Sequence, residues 1–244
     1  TLYSFFNSFL LYLAVSQALL IIYHLPLVFL LKKNLESLKI SFFTFDRDAF
    51  GLIAKFSFYV LVGLLCGILI FQTDNILVGI YVAAAGVTVY YAAAKLQEVV
   101  RSINALFGAP LIAAFSELHG RKEHAKQITY LFRCTKMETA LFMPLVIIMF
   151  LFSEKFILSW LGGEFSQAVL TLMILLVWWI FNGTMMVPQA LITGRGMVDV
   201  FLYPNIINAS ANLALSLVLV RYLGMAGVAL GTTVPMVITT LFLI

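Results

Sequence analysis

The sequence predicts an all-α protein, a polytopic membrane helix bundle of about seven transmembrane helices. Three observations carry this. Of 244 residues, 63% are hydrophobic and only 11% are charged, against about 45–50% and about 25% in soluble domains. The apolar residues fall in long runs, and a bilayer core of about 30 Å takes roughly 20 residues of helix to cross. None of the runs shows the two-residue alternation of a barrel strand. Helices are then the structure that pairs every backbone group within lipid.

In chain order the helices are expected near 5–31, 50–81, 85–115, 139–160, 165–189, 200–221 and 225–244. The first run is too long for a signal peptide and lacks its cleavage pattern. The chain starts at Thr1 on this run and stops at Ile244 inside another, so a piece of a longer protein is expected. Segment 32–48 is polar and mixed in charge, with Phe42, Phe43 and Phe45 near its end. It reads as a cytoplasmic linker lying partly on the membrane surface. Segment 117–136 reads as an interfacial amphipathic helix, with His119 and His124 as solvated face residues rather than metal ligands. The two cysteines, Cys66 and Cys134, suggest neither a disulfide framework nor a zinc site.

Charge sets the expected orientation. Eleven basic residues lie in the loops or at the helix ends of one side, from Lys32 to Arg195, and only Lys155 and Arg221 on the other. Cytoplasmic loops carry the excess of lysine and arginine, which places Thr1 outside and Ile244 inside. Pro26, Pro110, Pro144, Pro188 and Pro235 fall inside apolar runs, where each removes a backbone hydrogen bond. A transporter that flexes would show this, and an ordinary bundle also tolerates it. The pairs Gly63/Gly67 and Gly227/Gly231 are read as close-packing points between helices.

The third run poses a choice. Either a helix ends at Phe71 and Lys95, Glu98 and Arg101 flank the next span, or one long helix continues through Asp74 to Tyr81. In the second case "AAAG" at 83–86 turns the chain, and a helix runs from Val87 past Pro110, bent at Gly108 and Pro110. The second is preferred because it absorbs the apolar stretch 103–115. Thr88, Tyr91, Lys95, Glu98 and Ser102 then share one face. Charges within membrane helices are costly and face a partner or a water-filled cavity. Lys95 and Glu98 can partly neutralise each other. Further along, Asn182, Thr184 and Gln189 surround Pro188, and Asn205, Asn208, Asn212 and Ser216 form a row. Such amides either join helices or line a cavity.

"TDNILVGIYVAAAGVTVYYAAAKLQ" resembles the start of a six-helix lobe in polysaccharide (O-antigen-type) flippases, with Asp74, Gly79, Val87 and Tyr90 at the patterned places. These belong to the multidrug, oligosaccharidyl-lipid and polysaccharide exporter superfamily. "GAPLIAAFSELHGRKEHAKQ", "FILSWLGGEFSQAVLTLMIL", "ALITGRGMVDV" and "NLALSLVLVRYLGMAGVALGT" are similar to successive loops and helices of that lobe. The resemblance covers about residues 50–244. It implies most of one lobe of a two-lobed MATE-like exporter: 1–31 as the last helix of the first lobe, 32–48 as the inter-lobe linker and 49–244 as the second-lobe bundle, truncated at both ends.

The implied function is translocation of lipid-linked oligosaccharide across the cytoplasmic (inner) membrane for surface polysaccharide assembly. A sugar–pyrophosphate head needs a hydrated cavity with some positive charge. On this reading Tyr91, Lys95, Glu98, Arg101, Asn182, Gln189, Asn208 and Asn212 line the substrate cavity. Asp74 couples transport to H+ or Na+. The partners expected are lipid-linked oligosaccharide and membrane lipids, with no nucleic acid, no cofactor and a monomeric state. A multidrug cation antiporter of the same superfamily is one alternative, which the excess of basic residues disfavours. A membrane-embedded glycosyltransferase or polymerase is another. It would need clustered acids or a large outer loop, and Asp46 and Asp48 are the only close acid pair, so the chain is not expected to be an enzyme.

Overall fold

The structure, a computed structural model, describes residues 11, 12, 14–20, 22, 23, 26 and 45–243. The chain divides into two compact units, 1–50 and 51–244. In the first, the described residues up to 26 are helical. Most of the expected first helix and of the linker 32–48 lies outside the described residues. Asp46 starts the next helix as its cap: Oδ1 accepts from the amides of Asp48 at 2.9 Å and Ala49 at 3.2 Å. The "DRD" pair is thereby explained in part by helix initiation.

The described fold is helical throughout. In chain order α1 is Arg47–Tyr81, α2 Ala84–Ala105, α3 Gly108–Gly120, α4 His124–Leu151, α5 Ser153–Leu161, α6 Ser166–Asn182 and α7 Met186–Gly194. The stretch Leu202–Leu243 is a helix interrupted at Gly224, whose φ of 56° and ψ of −132° are not helical. Its halves are α8 (202–223) and α9 (225–243). They double back on one another. Asn212 Nδ2 donates to Thr232 Oγ1 at 2.8 Å, yet twenty residues of straight helix would separate them by about 30 Å.

Among the described residues, five stretches are long and apolar enough to cross a membrane: Arg47–Tyr81, Ala84–Gly120, His124–Leu151, Gly163–Asn182 and Val198–Phe242. The last contains the fold-back, so it supplies two passes of about 20 residues. This is a multi-pass membrane helix bundle.

Several boundaries differ from those expected, for physical reasons. The loop 117–136 is not a separate interfacial helix. α3 runs to Gly120, a turn at Arg121–Glu123 reverses the chain with Lys122 in the left-handed region at φ 59°, and α4 starts at His124. The helix expected at 139–160 is α4 and α5, divided at Phe152. The helix expected at 165–189 is α6 and α7, divided at 183–185. The turn placed at 83–86 is at Val82 and Ala83, since Ala84 is already helical. The bend placed at Gly108 and Pro110 is a break at Leu106–Phe107. The one-helix reading through Asp74 holds: α1 continues to Tyr81.

Between helices in lipid, apolar side chains gain little from leaving one oily medium for another, so close approach and polar contacts carry the association. Gly227 and Gly231 provide such approach. A Cβ on Gly227 would overlap the Leu219 carbonyl, and one on Gly231 would lie 2.6 Å from Ser216 N. The other pair is divided. A Cβ on Gly63 would stand 3.1 Å from Asn205 Nδ2 of α8, a close approach, whereas Gly67 has no described atom within 4 Å of its Cβ position. The packing reading is corrected for Gly67. α1 has an outward face with Leu64, Ile68 and Leu69 exposed, and its inward residues Ile70, Asp74, Leu77 and Val78 are buried.

Candidate functional site

Two of the cavities among the helices of the second unit gather the polar side chains. The first, of about 100 Å³, is walled by α1, α2 and α6 and lined by Phe71, Gln72, Asp74, Asn75, Tyr90, Tyr91, Ala94, Lys95, Gln97, Glu98, Arg101 and Leu175. The second, of about 390 Å³, has Tyr59 and Gly63 from α1, Trp178 and Asn182 from α6, and Gln189 and Thr193 from α7. Asn205 and Asn208 come from α8, and Thr239 and Thr240 from α9.

The first cavity is charged. Lys95 stands eleven residues after Ala84, the start of α2, which sets it about 16 Å along the helix. Its Nζ meets Glu98 Oε2 at 2.6 Å, and Arg101 Nη2 meets Glu98 Oε1 at 3.3 Å. One carboxylate thus serves two cations. Helix geometry explains the bridge, because residues three apart are neighbours on the surface. Lys95 also stands 5.2 Å from the Tyr91 ring centroid, and the Arg101 guanidinium 4.7 Å from that of Phe71. Arg101, off the Lys95 face by helical angle, reaches the same cavity by extending over Phe71. Side chains of Lys95, Glu98 and Arg101 remain 41–49% exposed, open to an incoming group.

Behind this surface lies a buried polar cluster. Asp74 is 2% exposed, two turns before the end of α1. Its Oδ2 accepts from Tyr90 Oη of α2 and from Thr232 Oγ1 of α9, each at 2.7 Å. The Thr232 hydroxyl has one proton. The 2.7 Å contact with the carboxylate is shorter than its 3.2 Å contact with the Val228 carbonyl. Asn212 Nδ2 donates into the hydroxyl's lone pair at 2.8 Å, which leaves that proton for Asp74. Among the described residues Asp74 Oδ1 has no hydrogen-bond partner and is buried, as is Asn75 Oδ1 beside it. An unpaired buried carboxylate oxygen is an expensive group to keep.

The second cavity carries no charged residue on its lining. The break between α6 and α7 sets Asn182 and Gln189 on its wall, and α8 adds Asn205 and Asn208. Asn208 Oδ1 is buried without a partner among the described residues. Trp178 Nε1 donates to Thr240 Oγ1 at 3.2 Å, which holds the indole at the edge of this space.

The eight residues expected together are thus divided. Tyr91, Lys95, Glu98 and Arg101 line the charged cavity with Asp74. Asn182, Gln189 and Asn208 line the uncharged one. Asn212 lines neither: at 1% exposed it joins α8 to α9 through Thr232. Thr232 and Glu138 are among the buried polar residues that escape sequence reasoning. Thr232 sits in a run of threonines and apolar residues, 158 positions from Asp74. Glu138 lies one residue before the helix expected to begin at 139, and is 1% exposed inside α4. His119 and His124 face each other edge-on at 6.2 Å. Among the described residues, no group of three or more His, Cys, Asp or Glu is placed to hold a metal ion.

A family model described as polysaccharide biosynthesis protein matches residues 14–170, well over half of the chain. No curated protein and no solved structure matches.

Proposed function

Since the chain belongs to the polysaccharide biosynthesis protein family, we propose that it is part of a flippase that moves lipid-linked oligosaccharide from the inner to the outer leaflet of the cytoplasmic membrane. The observation that carries this is the pairing of two unlike cavities within helices long and apolar enough to cross a bilayer. The Lys95–Glu98–Arg101 array offers cations already held in place by a shared carboxylate, suited to an anionic pyrophosphate. The amide-rich cavity offers Asn182, Gln189 and Asn208 to hydroxyl groups. Asn208 Oδ1 lacks a donor that a sugar hydroxyl would provide. The lipid tail stays in the bilayer. No step requires a bond to be made or broken, so the reading is transport rather than enzymatic catalysis.

Asp74 is the coupling group in this reading. Its free Oδ1 is a seat for a proton or a sodium ion. Its other oxygen ties α1 to α2 and α9, so occupancy of the seat is felt by three helices at once. In this reading the turns that carry Arg121, Lys122 and Arg195 face the cytoplasm, from the bias of the basic residues.

The test uses the full-length gene in a strain that depends on it for surface polysaccharide. Lys95→Ala should lower export severalfold or more, and Lys95→Arg should retain most of it, because guanidinium still binds an anion and reaches Glu98. Equal activity of the two variants would return Lys95 to a helix-flanking role and remove the anion-binding part of the proposal.

A further inference from the structure

Two helices break and a third is weakened at one level of the bundle. α2 gives way to α3 at Leu106–Phe107, and α6 to α7 between Gly183 and Met185. α4 is continuous, but Pro144 has no N–H for the Ala140 carbonyl, which weakens the helix at that turn. These points are neighbours in space. A Cβ on Gly108 would overlap Met186 Cε, and one on Gly183 would stand 2.8 Å from Phe142 Cδ1.

Glu138, one turn before Phe142, connects them. Its Oε1 accepts from Asn104 Nδ2 at 3.1 Å, and its Oε2 from the Val187 amide at 3.4 Å. Asn104 is the penultimate residue of α2, and Val187 the second of α7. The first amides of a helix have no partner within it and carry partial positive charge. At depth in a membrane bundle no water is at hand to satisfy them. A carboxylate from α4 does so and holds the end of α2 in the same grip. An apolar residue there would leave both donors unpaired.

The apolar core is divided at this same level. Leu96, Val100, Phe142, Leu172, Leu176 and Trp179 belong to one cluster, and Phe115, Val187 and Ala190 to another. The second cluster is tied at its far end too. Gln127, fully buried, donates to the Phe115 carbonyl at 3.1 Å and accepts from Arg195 Nη2 at 2.8 Å. A Cβ on Gly194 would stand 2.9 Å from the Ile112 carbonyl, so α3 and α7 touch backbone to backbone. α3, α7 and the first half of α4 are therefore fastened to each other at both ends. Broken or weakened helix joins them to α2, α6 and the second half of α4, and the short segment 195–201 joins α7 to α8.

We propose that α3, α7 and the first half of α4 form a rigid wedge that swings against the remainder of the bundle, with Glu138 as the positioning residue of its hinge. The wedge carries Gln189 and Thr193, so its swing changes the wall of the amide cavity. The purpose of the motion rests on the flippase reading. The hinge itself is tested without transport, so the two can fail separately.

The experiment is a spin-label distance measurement on the full chain in lipid, with Cys66 and Cys134 replaced by serine. Labels at His119 and Glu164 span the hinge. Labels at His119 and Met197 both sit on the wedge side, since the Met197 amide donates to the Ile192 carbonyl of α7 at 3.1 Å; all three positions are exposed. Glu138→Ala should shift or broaden the His119–Glu164 distribution beyond its wild-type width and leave His119–Met197 superimposable. Glu138→Gln should restore the wild-type distribution, since its amide can accept from Val187 while the Asn104 amide turns to accept from it. If Glu138→Ala does not fold, Asn104→Leu cuts the bridge on the α2 side and is read by the same distances. A folded variant with both distributions unchanged would overturn the proposal. So would one in which the distance within the wedge moves as much as the distance across the hinge.

Discussion

Asp74→Asn is expected to reduce export by the full-length protein to background while leaving its thermal stability equal to wild type or higher. The two effects separate because the carboxylate's structural and proposed transport roles use different atoms. Oδ2 accepts from Tyr90 and Thr232 at 2.7 Å, and the asparagine carbonyl oxygen can do the same. Oδ1 has no partner, so an amide nitrogen in its place loses no hydrogen bond. It also removes a buried charge, and replacing buried charge by neutral groups is often neutral or stabilising. What the variant cannot do is carry the charge that a proton or sodium ion would neutralise. Thr232→Val provides the contrast: it deletes a donor to Asp74 and the acceptor of Asn212. It should lower both stability, by about 1–3 kcal/mol for the unpaired groups, and export. Export measured by complementation and melting in detergent check both variants. Normal export by a well-expressed Asp74→Asn protein would remove Asp74 from the coupling.

How far these groups could be read from sequence depended on whether their signal was local. The bundle, six of its spans and the long helix through Asp74 followed from apolar run length, since a helix must match the thickness of hydrocarbon. Lys95, Glu98 and Arg101 could be paired because three residues on one helix suffice to bring charges together. The Asp74 cluster could be half read. An acid inside an apolar run announces itself, but Thr232 meets it from 158 residues away, and nothing in a threonine specifies a partner.

Glu138 was hidden by a different effect. Residues 124–138 carry Lys126, Arg133, Lys136 and Glu138, so a hydropathy window ends the span at 139. The structure continues α4 through them, with Lys126 and Arg133 on its open side and Glu138 turned inward. The breaks at 106–107 and 183–185 were equally obscure. Both fall within apolar sequence, and the prolines that hint at them, Pro110 and Pro188, stand downstream of the breaks. Each proline is the third residue of the new helix, where a missing amide costs nothing. A proline near the start of a helix thus marks an interruption upstream of it: the bend expected at Gly108 and Pro110 falls at 106–107, and the break before Pro188 lies within a stretch expected as one helix.

The second large effect is expected at Gly231, and it separates two glycine pairs that look alike in sequence. Gly231→Val should destabilise the protein by about 3 kcal/mol or more, the upper end of overpacking costs. A Cβ there would overlap Ser216 Oγ and come within 2.6 Å of Ser216 N and 2.7 Å of its Cα. Two of those atoms are backbone, so Ser216→Ala should not rescue the variant. α8 and α9 would have to part. Parting them pulls Thr232, the next residue, away from Asn212 and Asp74, so export should fall together with stability. Gly67→Val is the control. With no described atom within 4 Å of its Cβ position, it should stay within about 0.5 kcal/mol of wild type, as surface substitutions do. Melting temperatures of the two variants, measured side by side in one detergent, decide it. Equal losses at both glycines would mean that the α8–α9 fold-back at Gly224 is not the close contact these distances describe.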